Sequence, residues 1–191
     1  MKNYILKYFP FYGLAVFFLC NIIAMYFYAG GSISDSESVG YDFFRNYLSQ
    51  LGRTRGVNGE NNLISFRFWS AGMATTGTLF IIYYMYLPTF FGIKKITILG
   101  SFFAIISSIC FIMTGITPGD IILNLSYYNN PSLSINTIYM YEFHKFFANN
   151  IFYFAFPASM IYSYVIYNSN KIDNIYGSGY YLFSVIIFIY I

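Results

Sequence analysis

The chain has 191 residues, of which 58% are hydrophobic and only 9% charged, with a mean hydropathy of +0.55. That composition excludes an ordinary soluble domain of this length, and a net charge of +3 spread over several segments excludes the basic stripe that nucleic-acid binding needs. The remaining class is an all-α, polytopic transmembrane helix bundle forming a single integral membrane domain over 1–191, with 22 Tyr and 23 Phe suited to interfacial belts.

Lys2 and Lys7 precede an apolar run over about 8–28. At about 1.5 Å per residue this run is long enough to cross a hydrocarbon core of about 30 Å, and it is the first predicted span. A cleaved signal peptide is the competing reading, because Ala29, Gly30 and Gly31 follow the run. Its length exceeds the roughly 7 to 15 apolar residues of such a leader, which favours a span. The first outer loop is expected over 29–62, and its opening segment, GGSISDSESVG over 30–40, reads as a flexible linker.

Within that loop, 41–56 reads YDFFRNYLSQLGRTRG. Asp42, Arg45, Asn46 and Ser49 recur at i, i+3, i+4 and i+7, opposite Phe44, Tyr47, Leu48 and Leu51, so the spacing predicts an amphipathic helix at the membrane interface. Gly52 stands where a helix takes a left-handed stop, and Arg53 and Arg55 follow.

The second span is predicted over 63–87, with Arg67 near its start, Trp69, and a small-residue run from Ser70 to Gly77 that lets helices approach closely. Pro88 and the FGIKK turn are expected to end it. The third span, 96–116, carries Gly100, Ala104, Ser108 and Gly115 as a packing stripe. A second outer loop over 117–142 opens with TPGD, contains a formal glycosylation sequon at Asn124, and turns at Pro131. The fourth span, 143–167, places His144, Ala148, Ala155 and Ser159 within about 60° of one another, so the only histidine should point into the bundle. Pro157 should kink this helix. A last apolar run over 176–191 is short for a span and has no polar flank, so five spans are visible and the given sequence is expected to end early. Cys20 and Cys110 fall inside spans without metal spacing and read as small core residues.

With the N-terminus inside, Lys2, Lys7, Lys94, Lys95 and Lys171 balance Arg45, Arg53, Arg55, Arg67 and Lys145 outside, so a count alone does not orient the chain. Residue type breaks the tie: every arginine and six of the seven acids share one set of loops, and the lysines mark the other. The expected location is the plasma membrane, multi-pass, N-terminus inside.

Both outer loops face one side, which lets Asp42, Arg45, Asn46, Ser49, Arg53, Arg67, Asp120, Glu142, His144 and Asn149 form a polar cluster. Arg45, Asn46, Ser49, Arg53, Arg67, Asp120 and His144 are the candidate ligand-binding residues, since arginine forks at an interface suit a lipid phosphate. His144 with Ser49 or Asp120 are the catalytic candidates for acyl transfer or hydrolysis, although no Gly-x-Ser-x-Gly elbow is present. A single histidine with scattered carboxylates lacks zinc spacing, so no metal or cofactor is expected. No acid lies at a span centre, which disfavours a small transporter.

FFRNYLSQLG after the first span, SAGMATTG in the second, TGITPGD closing the third and HKFFANNIFYFAFPAS opening the fourth resemble the prokaryotic membrane family called domain of unknown function 998. That family is similar to the Frag1/DRAM/Sfk1 group. The resemblance covers about 43–159; Ser49, Leu51 and Gly52 match the group's S-x-x-G element and His144 its later histidine, while Gln50 replaces the usual acid. It implies a bundle of about six helices, and the eukaryotic members are linked with lipid remodelling of membrane anchors, phosphoinositide homeostasis and autophagy. For the prokaryotic family it implies no molecular activity. The expected function is an integral membrane protein whose outer polar cluster binds a lipid headgroup or organises the bundle. A lipid-modifying enzyme is the alternative, with the balance against an enzyme. Membrane lipids are the expected partners, with a membrane-protein partner or homo-oligomer open and no nucleic acid.

Overall fold

The computed structural model describes residues 1–92, 94–120, 135–169 and 171–191, with backbone alone over 135–139. The sequon at Asn124 and the turn at Pro131 lie outside the described residues. Among the described residues the chain folds as five α-helices: α1 (Lys2–Tyr26), α2 (Leu63–Phe91), α3 (Lys95–Ile116), α4 (Ile135–Tyr167) and α5 (Asn174–Tyr190). A short 3-10 helix, Leu48–Gly52, lies in the loop after α1, and the only β pairing among the described residues is an isolated bridge between Arg55 and Asn61. Helices α1 and α3 are long and apolar enough to cross a membrane.

The helices contribute to two compact units. The first comprises Met1–Gly13, Gly77–Phe111 and Ala148–Ile191, and the second Leu14–Thr76 and Ile112–Phe147. All four arginines and six of the seven acids belong to the second unit, whereas Lys2, Lys7, Lys94, Lys95 and Lys171 belong to the first with Asp173. Lys145 belongs to the second unit, so the two sets of charged residues separated in the sequence, with Lys145 beside the arginines, also fall into different units of the fold.

In the first unit the core gathers Leu87, Tyr162 and Val165, with Leu6, Tyr83, Tyr84, Phe91, Ile161 and Tyr180 packed against them. Gly100 permits the contact between α3 and α4: a Cβ there would stand 2.8 Å from Ile161 Cγ2 and 3.2 Å from the Tyr162 ring. Pro88 does not end α2, which continues to Phe91. Proline lacks an N–H, so the carbonyl four residues back, that of Tyr84, has no helical donor. Ser101 on α3 supplies one, donating its hydroxyl to Tyr84 O at 2.6 Å. The helix survives its proline because a neighbouring helix satisfies the orphaned acceptor. Helix α4 likewise runs without interruption through Pro157.

In the second unit Leu51, Trp69, Met73, Ala24 and Tyr28 are buried. Gly115 of α3 lies so close to Met73 of α2 that any Cβ would overlap the methionine Cβ, so the small-residue stripe predicted on α3 is a contact face at this position. The predicted face of α4 is inward too: His144 and Ser159 are buried, and Ala148 and Ala155 half-buried.

The largest departure from expectation is 41–56, which is no amphipathic helix. It forms a turn over 43–45 followed by the five-residue 3-10 helix. The cause lies in the polar side chains. Asn46 Oδ1 accepts from Asp42 N at 2.8 Å, and Gln50 Oε1 accepts from Tyr47 N at 3.1 Å, so side chains take backbone donors that an α-helix would have used. Gly52 is not in the left-handed region either; it is glycine because a Cβ would lie 2.6 Å from Trp69 Nε1. The segment 30–40 is likewise a folded loop and no free linker. Gly30 and Gly31 adopt φ of 121° and 79°, Gly31 N donates to Ser38 O at 2.7 Å, and Ser32 is 1% exposed.

A polar cap as the candidate functional site

The second unit carries a cap built on three amide side chains. Asn62, at the foot of α2, is fully buried; its Oδ1 accepts from Ala29 N at 3.0 Å and its Nδ2 donates to Arg53 O at 2.9 Å. One side chain thus ties the end of α1 to the strap that follows the 3-10 helix. Asn46 donates from Nδ2 to both Gly31 O and Gln50 Oε1 at 2.7 Å, linking the loop after α1 to the 3-10 helix. Asn58 adds a third tie, from Nδ2 to Ala29 O at 2.9 Å. An isolated loop cannot bury such backbone groups without partners, and here asparagines supply them.

The TPGD turn closes the cap from the α3 side. Asp120 accepts from Thr54 N at 2.8 Å, Thr54 Oγ1 at 2.6 Å and Arg55 N at 3.3 Å, and Gly119 N donates to Gly52 O at 2.9 Å. His144, 7% exposed on α4, meets Thr117 O through Nδ1 at 2.8 Å. A carbonyl can only accept, so Nδ1 carries the proton in this bond. Gly119 lies against the opposite ring edge, where a Cβ would come within 3.1 Å of Nε2.

The candidate residues therefore separate into three groups. Asp120 and His144 are joined through 117–120, and Asn46 and Arg53 are buried in the same cap. Arg45 is exposed and paired at 3.5 Å with Asp42, itself 41% exposed, so the pair contributes little to stability. Ser49, Arg67, Glu142 and Asn149 are exposed. Among the described residues no hydrogen bond joins Ser49 to His144 or Asp120. Both Asp120 oxygens are engaged by the strap.

Arg53 is 5% exposed, and burial lowers its pKa below the ordinary guanidinium value, with Tyr28, Asp120 and Tyr141 acting in the opposite direction. Tyr41, packed edge-on to Tyr28, is raised by its own burial. Among the described residues two buried donors of the cap, Gln50 Nε2 and Trp69 Nε1, have no hydrogen-bond acceptor. The Gln50 orientation is fixed, because its other terminal atom accepts from Asn46 and Tyr47 and must be the oxygen. No group of three metal-ligating side chains occurs among the described residues.

Nothing in the sequence marks Gln50, Thr54, Asn62, Trp69 or Thr117 as a site residue. The density of Asn and Gly in GVNGENN marks a tight turn, but nothing in it says that Asn62 would reach two segments. No protein-family model, no curated protein and no solved structure matches this chain.

Proposed function

We propose that this is a multi-pass integral membrane protein whose polar cap binds the phosphate-bearing headgroup of an anionic lipid. Multiple crossings are supported by the outward faces of the helices beyond α1 and α3. Tyr153, Met160 and Tyr164 on α4, and Leu182, Phe183, Ile186 and Phe188 on α5, are all exposed. Apolar exposure of this extent suits hydrocarbon and not water. Helices α2 and α4, with 29 and 33 residues, exceed the length of about 20 residues that a crossing needs. In this reading the N-terminus and the turns bearing Lys94 and Lys171 face the cytoplasm of a plasma membrane and the loop over 27–62 faces outside, which is supported by the lysine and arginine distribution along the sequence.

The observation that carries headgroup binding is the pair of buried donors, Gln50 Nε2 and Trp69 Nε1, in the same cap as the buried Arg53, where the Asp120 carboxylate is already engaged. Buried donors favour an acceptor, and a phosphate oxygen is the acceptor that also matches a guanidinium. The loop is fitted for an interface by Phe43 and Phe44, 72% and 94% exposed, next to Arg45. Kinship with the family called domain of unknown function 998 is part of the same proposal and rests on the motifs over 43–159.

Native mass spectrometry of the purified chain tests this reading. Arg45→Ala and Arg53→Ala should each retain less anionic lipid than wild type while retaining zwitterionic lipid equally. Equal anionic retention in all three proteins would reject it.

A further inference from the structure

The lysine-bearing unit holds a separate cavity of about 440 Å³, lined among others by Phe91, Lys94, Thr97, Tyr164, Asn168 and Lys171. It sits where the end of α2, the start of α3 and the end of α4 meet, all within the first unit. Two of its lining side chains are cationic and none is a carboxylate. The nearest acid in the chain, Asp173, caps α5 through Oδ1, which accepts from Ile175 N at 3.0 Å, and lines a neighbouring surface pocket and not this one. The lining itself thus carries two positive charges and no negative one.

Lys171 is held by its side chain and Lys94 by its backbone. Lys171 Nζ donates to Phe90 O at 2.6 Å and lies 5.7 Å from the centre of the Phe90 ring, which fixes the ammonium and leaves two of its three N–H groups for another acceptor. The backbone of Lys94 is pinned by Thr97, whose hydroxyl accepts from Lys94 N at 3.3 Å and donates to Lys94 O at 2.9 Å. Thr97 is itself 1% exposed, so this clamp is part of the core. Asn168 is positioned in the same way, with Nδ2 on Tyr164 O at 2.9 Å and its amide oxygen and second N–H remaining. Apolar side chains, Phe91 and Val165 among them, form the rest of the wall.

We infer that this cavity is a binding site for a phosphate group, the phosphate of an anionic lipid being the form its amphipathic lining fits. The held Lys171 ammonium, the Lys94 ammonium and the Asn168 amide would meet the phosphate oxygens, while Phe91 and Val165 would meet the glycerol and the first methylenes of the chains. The residues are distinct from those of the polar cap, so this site stands or falls independently of the headgroup reading given for Arg53.

The test uses the full chain purified in a mild detergent, with phosphatidylglycerol as probe, phosphatidylcholine as reference and native mass spectrometry as readout. Lys94→Gln and Lys171→Gln should each lower retained phosphatidylglycerol by about fivefold, the weight of one lysine near an anionic headgroup. Lys95→Gln, on the same turn but outside the lining, should leave it unchanged. Phosphatidylglycerol that survives millimolar inorganic phosphate identifies the lipid as the occupant. Displacement by inorganic phosphate, lost in the two lysine variants, keeps the site but assigns it to the free anion. Should a lysine variant fail to fold, Asn168→Trp, which fills the exposed rim and keeps both charges, must lower retention instead. Retention equal to wild type in the folded lysine variants, or in Asn168→Trp, overturns the proposal, as does an equal fall in Lys95→Gln.

Discussion

Ser101→Ala removes the donor on which the Tyr84 carbonyl depends, and the consequence can be worked out from the geometry. Ser101 gives its single proton to Tyr84 O at 2.6 Å, so the one proton of Tyr162 is shared between Ser101 Oγ at 2.5 Å and Thr97 O at 3.2 Å. Alanine strands the Tyr84 carbonyl, because Pro88 cannot donate to it, and leaves Tyr162 only its longer bond. An orphaned buried acceptor costs about 1–3 kcal/mol, so a loss of about 2 kcal/mol is expected. Pro88→Ala restores the helical N–H, after which Ser101→Ala should cost only about 1 kcal/mol. The four proteins of this cycle, unfolded reversibly in detergent, should therefore show a coupling of about 1 kcal/mol, toward the upper range of interhelical hydrogen bonds in membranes. Strictly additive losses would refute the claim that Ser101 repairs the proline.

Gly115→Val should destabilise the second unit by about 2–3 kcal/mol, since the new side chain meets Met73 Cβ, whereas Gly179→Ala, with open space around it, should be neutral or slightly stabilising; thermal melts of both variants separate close packing from general helix propensity. Asn62→Ala should lower stability by about 2–4 kcal/mol by orphaning Ala29 N and Arg53 O, and faster amide exchange at Ala29 is its local signature; unchanged exchange there would contradict the role assigned to Asn62.

The helices were legible because each needs only a long run of apolar residues, and the α3 stripe because close packing demands small side chains at a helical interval. The end of α2 was misread at Pro88 for a reason that lies outside the local sequence: the compensating donor, Ser101, belongs to the next helix. The loop over 41–56 was misread more deeply. Its i, i+3, i+4, i+7 spacing is real, but Asn46 and Gln50 face inward to bind Gly31 and Tyr47, contacts that periodicity cannot anticipate. The meeting of the first loop with TPGD was expected, and Asp120 does bind Thr54 and Arg55. Its partners are the backbone N–H groups of Thr54 and Arg55 and the Thr54 hydroxyl.

The central claim, that the helices alternate across a bilayer, is tested most directly by single-cysteine accessibility in intact cells. Cys20 and Cys110 are first replaced by alanine, and single cysteines are placed at the exposed positions Ser36, Lys94 and Lys171. A membrane-impermeant thiol reagent should label Ser36→Cys from outside, and should reach Lys94→Cys and Lys171→Cys only after the membrane is opened. Labelling of all three from outside, or of none until the membrane is opened, would contradict a multi-pass protein with the loop over 27–62 outside.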